Sequence, residues 1–278
     1  MSAWQPTATV ATLRARAEIL AQIRAFFTAR DIIEVQTPLL GKTTVTDPDV
    51  EAVAVAGYGF LQTSPEYFLK RLLAAGVPSC YQMAPGFRHD ERGRLHNPEF
   101  CMLEWYRLAF DARQLMFEVS ELCDVVLGEG SYQTHTYASL VGDLNRPREE
   151  LDLAFAQACS DLSGRVFITD YPAGQAALAR IDPVQPEVAA RFELVIDGVE
   201  IANGYWELTD AAEHRRRFAA DLEIRRARQL PVHEIDELFI AALEHGLPAC
   251  AGVALGVDRL VMKALGCEQI EQVLTFRD

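Results

Sequence analysis

The sequence predicts an α+β fold built on an antiparallel sheet. Residues 79–110 and 192–208 each contain two apolar, strand-like segments with no helical pattern between them. Segments with helical spacing of apolar residues stand before and after these pairs, not between their strands. Strands joined by short connections run antiparallel, so we expect an antiparallel sheet flanked by helices and not a doubly wound fold.

Composition and charge narrow the class of protein. Half of the 278 residues are apolar, which permits one large domain or two small ones. The net charge of −14 argues against a surface devoted to nucleic acid, because phosphate binding needs an excess of Lys and Arg. Neither a signal peptide nor an apolar run of membrane-spanning length stands in the sequence. The six cysteines lack zinc-type spacing and indicate free thiols, so we expect a cytosolic protein.

Periodicity and turn residues divide the chain into elements. In order, we predict a helix over 12–30, a strand over 32–40, a helix over 64–76, strands over 79–90 and 99–110, helices over 111–128 and 145–159, a hairpin over 192–208, a helix over 210–230 and a strand–turn–helix over 252–266. Residues 129–165 are the least defined part of this pattern.

Spacing and terminal residues justify these elements. Ile19 and Ile23 fall on one face of the first helix, and Pro38 ends the strand that follows it. A Ser-Pro start and a Gly end delimit the second helix. Asp111 and Asp210 are candidate N-caps of the third helix and of the helix after the hairpin. The helix over 210–230 is rich in arginine. The favoured interpretation is a solvated face with ion pairs inside the helix, and the alternative is a docking face for an acidic partner.

The hairpin brings two carboxylates together. An Asp-Gly pair at 197–198 suits a two-residue type I′ turn, so the numbers of paired residues sum to 395. Glu193 then faces Ala202, Val195 faces Glu200, and the two glutamates lie on one face about 7–8 Å apart. Such a pair can share Mg²⁺ with phosphate oxygens. The hairpin alone favours the other interpretation, two solvated glutamates.

A second segment, "GVALGVDRL" at 252–260, has phosphate-handling character. Gly256 permits close backbone approach, and Arg259 falls in the first turn of the following helix. The same residues also suit a simple turn and a surface ion pair.

Taken together, three segments resemble the class II aminoacyl-tRNA synthetases. "RAEILAQIRAFFTARDIIEVQTPLL" is similar to motif 1, "FRHDERGRLHNPEF" to motif 2 and "GVALGVDRL" to motif 3. "HNPEFCMLEWYR" and "VEIANGYWELTDA" resemble the lysyl branch of that family. The resemblance implies ATP as a substrate, Mg²⁺ as a cofactor and one catalytic domain over residues 1–278, with no anticodon-binding domain. Motif 1 forms the dimer interface in this family, so a homodimer is also implied.

The resemblance assigns residues to ATP. Arg88 would bridge the amino acid carboxylate and the α-phosphate, and Arg259 would clamp the γ-phosphate, which makes both candidate catalytic residues. Glu193 and Glu200 would hold the metal. The other residues assigned to ATP are His89, Asp90, His96, Asn97, Phe100, Ile201 and Gly256. The family usually has Glu where Asp90 stands, with Glu91 one place later.

The resemblance also places a pocket for a lysine-like substrate. Glu104, Tyr106 and Glu207 would receive its amines, because carboxylates suit a dicationic ligand. The remaining pocket residues would be Ser64, Pro65, Glu66, Asn203 and Ala254. For Trp105, next to this pocket, core packing is the favoured interpretation, and it is an alternative for Tyr106.

Departures from the synthetases point to a related group. The chain resembles free-standing enzymes of the lysyl branch that activate β-lysine and transfer it to elongation factor P. Ser64, and Ala254 where lysyl-tRNA synthetases usually have glycine, favour this group; residues 129–165 are shorter than in it. The resemblance implies elongation factor P and lysine or β-lysine as partners, with no tRNA and no membrane. Two alternatives stay open: a compact enzyme that charges α-lysine onto RNA, and a non-catalytic regulatory paralogue.

Overall fold

The computed structural model describes residues 4–89 and 91–277. Within these ranges the helices are α1 (Val10–Thr28), α2 (Glu66–Ala74), α3 (Ala112–Leu127), α4 (Tyr137–Val141), α5 (Arg148–Asp161), α6 (Ala211–Ala227), α7 (Glu237–Gly246) and α8 (Val257–Leu265). The strands are β1 (Ile33–Glu34), β2 (Leu40–Gly41), β3 (Ala54–Val55), β4 (Gly59–Leu61), β5 (Cys80–Phe87), β6 (Glu99–Leu108), β7 (Tyr132–Thr136), β8 (Arg165–Thr169), β9 (Tyr171–Pro172), β10 (Val188–Ala189), β11 (Arg191–Ile196), β12 (Val199–Trp206) and β13 (Cys250–Gly256).

An eight-stranded sheet forms the centre, in the order β1-β5-β6-β13-β12-β11-β8-β7. The six strands from β5 to β8 in this order are antiparallel, as predicted. Both edge pairs are parallel, so the sheet is antiparallel at its centre and mixed as a whole. The reason at one edge is a crossover: α4 and α5 carry the chain from β7 back to the start of β8.

Helices cover both faces of the sheet. On one face α1, α3 and α8 pack over Trp105 of β6, which is fully buried and donates its indole N–H to Glu118 at 3.1 Å. Core packing of Trp105 is therefore confirmed. On the other face Tyr106 packs with Tyr67 of α2, Phe218 of α6 and side chains of α7. Alternation along β6 thus sends neighbouring aromatic residues to opposite layers.

Local elements follow the predicted pattern, with one strand shortened. Over the predicted strand 32–40, β1 keeps two residues, and Leu40 begins β2 in a separate three-stranded sheet. Pro38 lies between them and has no N–H for a ladder. Asp111 and Asp210 cap α3 and α6 as predicted. No prediction covered α4, α7 or β7.

The six cysteines are free thiols, and three of them are buried. Within residues 4–89 and 91–277, none of the helices combines the length and apolarity that crossing a bilayer requires.

The hairpin forms with the predicted turn but with a shifted register. Asp197 and Gly198 have φ of 44° and 75°, the signs of a type I′ turn, and Val195 faces Glu200. Beyond that pair a β-bulge leaves one residue of β12 without a partner on β11.

The bulge corrects one predicted pair. Leu194 faces Ala202, so Ile201 is the additional residue, and Glu193 faces Asn203. The prediction that Glu193 faces Ala202 was wrong, because pairing by constant sum assumes an uninterrupted ladder.

Residues 43–51 form a strap that crosses α6. Arg225 of α6 is fully buried and donates to the Asp47 carbonyl at 2.7 Å and to the Glu51 carboxylate. The Thr46 hydroxyl donates to Asp221 of α6 at 3.0 Å. The favoured interpretation of the α6 arginines as solvated was wrong for Arg225.

Other arginines of α6 form ion pairs within the helix. Arg216 and Arg217 both bind Glu213, and Arg226 binds Glu223. The internal ion pairs predicted with Glu213 and Glu223 are therefore confirmed, whereas the third acid predicted to pair, Asp221, accepts a hydrogen bond from Thr46.

Replacement of Arg225 should unfasten the strap. We expect Arg225→Met to lower the free energy of unfolding by about 3–5 kcal/mol, because it leaves a half-buried Glu51 without its cation and removes the guanidinium donors of three carbonyls. Arg226→Met, one residue further and half-exposed, is the matched control and should change it little. Urea unfolding of both variants measures this, and equal losses would contradict the account.

Candidate active site

Most of the sequence-predicted site residues line one cavity of about 860 Å³. Pro65, His89 and Glu193 are not among its lining residues. The cavity lies on the sheet face that carries Tyr106, between α2, α6 and the strap. Arg88, Glu200 and Arg259 all line it. Three places that the sequence separates by more than fifty residues therefore meet at one surface.

Two transverse rows of directly opposed residues form the floor. The first row runs from Glu104 through Ala254 and Asn203 to Glu193, across β6, β13, β12 and β11. Opposed residues in neighbouring strands point to the same face, so these four side chains share one side of the sheet. The bulge at Ile201 brings Glu193 into this row.

The second row runs parallel to the first. It contains Tyr106, Gly252, Tyr205 and Arg191. Gly252 is required here: a Cβ at that position would lie 2.3 Å from Tyr106 Cε1 and 2.4 Å from Glu207 Oε1. Gly256, which the sequence singled out, is not so restricted, since a Cβ there would make ordinary contact with Arg259 at 3.5 Å.

Glu104 is buried at one end of the cavity. It accepts hydrogen bonds from the Ser64 hydroxyl at 2.9 Å and the Tyr106 hydroxyl at 2.7 Å. Burial and the charge of Glu66 raise the pKa of Glu104 to about 8, although the two hydroxyls oppose the shift. This environment favours the protonated form of Glu104 until a cation approaches it.

Two further predicted carboxylates already share a cation. Lys70 Nζ lies 2.6 Å from Glu66 and 2.6 Å from Glu207. Burial disfavours the ammonium, but Glu207 and Glu66 outweigh it and raise the pKa of Lys70 above its ordinary value. Burial also raises the pKa of Glu207 to about 7, against the opposing charge of Lys70.

Lys70 was missed by the sequence reasoning. It follows Glu66 by four residues, a spacing usual for solvated pairs. The available signal was its place three residues after Tyr67 and three before Leu73, within the apolar face of α2. Pro65 is the N-cap residue of this helix.

Arg88 lies at the other end of the cavity, after β5. Its guanidinium stands 5.1 Å from the centre of the Phe100 ring and 3.5 Å from Glu91. Its Nε is buried and has no hydrogen-bond partner in the part of the chain that the structure describes. Gly86 admits the Phe100 ring, because a Cβ there would lie 2.8 Å from Phe100 Cζ. An arginine with an unused donor suits an anionic ligand.

Arg259 ties the charged loop to the hairpin. It donates to the Glu200 carbonyl at 2.9 Å and approaches the Glu200 carboxylate at 3.4 Å. It also contacts His96 Nε2 at 2.8 Å, and burial together with Arg259 lowers the pKa of His96. A neutral His96 accepts this hydrogen bond at Nε2.

The other residues assigned to ATP lie in different settings. Asn97 lines the cavity but donates its amide to the Glu99 carbonyl at 2.6 Å, and Ile201 is buried at the cavity wall. His89 is exposed and is not among the cavity-lining residues. Asp90 lies outside the described residues.

The charge of Glu200 acts on the carboxyl group of Glu193. Burial raises the pKa of Glu193, Arg191 at 2.6 Å opposes this, and the charge of Glu200 adds to it. Each glutamate is paired with a separate arginine, Glu200 with Arg259.

The oxygen set near Glu193 fits a hard cation. Asn203 Oδ1 is buried without a partner within residues 4–89 and 91–277, and its amide nitrogen lies 3.5 Å from Glu193. Carboxylate and amide oxygens are the ligands that Mg²⁺ prefers. Among these same residues no cluster of three or more His, Cys, Asp or Glu could hold a metal. A metal at Glu193 and Glu200 would therefore need further ligands from a substrate.

The chain is similar throughout to known proteins. The family model described as tRNA synthetases class II (D, K and N) matches residues 4–278. A Vibrio cholerae protein named elongation factor P–(R)-β-lysine ligase is 43% identical over 316 residues, covering 99% of this chain and 98% of that protein. A ligase of the same name from Edwardsiella ictaluri is 44% identical over 317 residues, with coverage of 99% and 98%.

These alignments are longer than the 278 residues of the chain, so each of these relatives has positions without a counterpart here. That residues 129–165 are the shortened segment stays a prediction.

A methyl group at Gly252 should disturb the floor of the cavity. We expect Gly252→Ala to lower the free energy of unfolding by about 1–3 kcal/mol, because Tyr106 and Glu207 must move to admit the Cβ. Gly256→Ala is the matched control on the same strand and should cost little. Denaturant unfolding compares the two, and a harmless Gly252→Ala would contradict the packing described here.

Proposed function

This chain belongs to the class II tRNA synthetases of the D, K and N type, and from that premise we propose that it activates (R)-β-lysine with ATP and transfers it to a lysine side chain of elongation factor P. The relatives that match it over nearly their whole length carry the name of that ligase. The enzyme class is accordingly an AMP-forming ligase that joins an amino acid to a protein.

One observation carries the proposal: a cluster of carboxyl groups and two arginines line the same cavity. Glu66, Glu104 and Glu207 place three carboxyl groups at one end, which suits the two ammonium groups of a diamino acid. Arg88 and Arg259 supply the positive charge that a triphosphate would need.

Adenylate formation mainly requires that the two reactants are positioned and that their negative charge is neutralised. A carboxylate oxygen of β-lysine attacks the α-phosphorus, the bond to the bridging oxygen breaks, and pyrophosphate leaves. Arg88 stabilises the charge that develops between the two reactants, and its unpaired Nε–H is available for this. The carboxylate pocket holds the ammonium groups and so orients the attack.

Transfer completes the reaction. The neutral amine of the acceptor lysine attacks the adenylate carbonyl, an amide bond forms, AMP leaves with the electron pair of the broken acyl–phosphate bond, and the amine nitrogen releases one proton. The pocket residues Glu104 and Glu207 keep the β-lysyl group in place during this step.

Mg²⁺ held by Glu193 and Glu200 would neutralise phosphate charge when bound. The unpartnered Asn203 oxygen beside Glu193 supports this assignment. We further propose a cytoplasmic homodimer that contacts its partner through the α1 segment, with residues 1–278 acting as one catalytic domain and no role for tRNA or a membrane. The family resemblance and the acidic net charge support these points.

The decisive experiment combines ATP, one lysine isomer and elongation factor P, followed by intact-protein mass measurement. We expect the acceptor to gain one lysyl unit with (R)-β-lysine, and Arg88→Met to abolish the gain. Arg113→Met, an exposed arginine on α3 at the opposite face of the sheet, is the control and should retain it. Stable charging of RNA instead of the protein would favour an enzyme that charges α-lysine onto RNA. The absence of ATP use with any lysine isomer would favour a non-catalytic regulatory paralogue.

Ala254 should set the choice between lysine isomers. It stands between Glu104 and Asn203 in the first row, so its methyl group limits the space beside the bound amino acid. We expect Ala254→Gly to raise use of α-lysine relative to β-lysine by about tenfold or more in pyrophosphate exchange. Ala251→Gly, on the same strand but in the core, should leave the ratio unchanged. An unchanged ratio in Ala254→Gly would remove Ala254 from the account of selectivity.

A further inference from the structure

Lys70 is a buried cation that the proposed chemistry does not use. Its side chain is fully shielded from solvent, and it is not among the cavity-lining residues, whereas Glu66 and Glu207 are. It therefore stands behind the wall that a ligand would touch. Glu207 binds it through Oε2 and presents Oε1 beside Gly252.

The charges in this wall can be counted. With Glu66, Glu104 and Glu207 ionised, Lys70 leaves a net charge of −2. A diamino acid joined to AMP has two ammonium groups and no free carboxylate, so the pocket and the ligand cancel. Without Lys70 one negative charge would remain buried and unpaired, which is costly enough to keep one carboxyl group protonated.

We propose that Lys70 is a positioning residue for substrate selection: its ammonium stabilises the ionised form of Glu207, holds Glu66 and Glu207 in place at the cavity wall and matches the pocket to ligands with two positive charges. This inference rests on the proposed function and specifies how its substrate pocket recognises a diamino acid.

The thiols and phenols next to the carboxylate pocket titrate above neutral pH. Burial raises the pKa of Cys80 to about 11 and of Cys250 to about 12, and raises those of the phenols further above their usual range. The phenols that face the pocket are Tyr67, Tyr106 and Tyr205.

The nearby basic groups do not titrate there either. Burial, and then the charge of Lys70, lower the pKa of His214 to about 4. Arg180 donates to the Glu207 carbonyl at 3.1 Å as a fixed cation. Within the carboxylate pocket, protons gained or lost near pH 7 therefore belong to Glu104 and Glu207, whose pKa values are about 8 and about 7. On the α6 side of the cavity, burial also raises the pKa of Asp221, to about 6.

The sign of the pH dependence follows. Raised carboxyl pKa values mean that the free pocket is protonated at low pH, and a diammonium ligand must displace those protons. The KM for β-lysine should therefore fall as pH rises from about 6 to about 8. Loss of the Lys70 charge removes a stabilising cation, so the carboxylates ionise later and the midpoint of this fall moves to higher pH.

The test is the pH profile of the KM for β-lysine in ATP–pyrophosphate exchange. We expect Lys70→Met to move the midpoint upward by about one pH unit and to raise this KM about tenfold at pH 7, with the KM for ATP unchanged. The pair Lys70→Met with Glu66→Gln restores a net charge of −2 and should return the midpoint toward that of the wild type. A purely structural role for Lys70 predicts no such return.

A second measurement does not depend on any variant folding. In wild-type protein labelled with ¹⁵N at its lysine side chains, the Lys70 ammonium should stay protonated through pH 9 and on addition of β-lysine. Loss of its proton below pH 9, or an unchanged midpoint in a folded Lys70→Met variant, would overturn the inference. Absence of β-lysine-dependent exchange in the wild type would instead overturn the proposed function.

Discussion

Acidic side chains buried under helices must find cations, and this requirement organises the structure. Four buried carboxylates lie against a basic side chain: Glu118 with Arg107, Glu193 with Arg191, Glu207 with Lys70 and Asp258 with Arg16. A fifth, Asp236, caps α7. Glu104 differs, since in the described chain its hydrogen-bond partners are hydroxyl groups. Because hydroxyl groups do not neutralise a buried carboxylate, an external cation would stabilise the charged form of Glu104.

The site is held in shape by arginines as much as by the sheet. Arg259 joins the charged loop at His96 to the hairpin at Glu200, whereas Arg191 pairs with Glu193 of its own strand and donates to the Gln175 carbonyl. Both arginines therefore have internal partners. In the proposed function, phosphate oxygens would replace the carboxylate and imidazole partners of Arg259, which limits the cost of leaving this half-buried cation unpaired.

The sequence predicted those features that depend on local pattern. Alternation separated Trp105 from Tyr106, and the Asp-Gly turn located the hairpin, because both are decided within a few residues. The resemblance brought together Arg88, Glu200 and Arg259, and the cavity contains all three. Register beyond the bulge could not be predicted, since the additional residue at Ile201 has no local signature.

Other features escaped because they depend on distant partners. Lys70 and Arg225 are of residue types that usually lie at the surface. Their burial depends on contacts with Glu207 and with the strap, which are distant in the sequence. The parallel pairing of β7 likewise depends on how α4 and α5 return the chain.

The additional residue at Ile201 also bears on how the chain reaches this arrangement. A regular two-stranded ribbon can slide by two residues and keep alternation intact, so misaligned forms compete with the native one during folding. In β11 and β12 such slippage would displace the irregular step from its place opposite Leu194 and Val195 and forfeit the contacts of Glu193 with its neighbours on both sides. The bulge therefore makes the native register of β11 and β12 energetically distinct from all shifted registers.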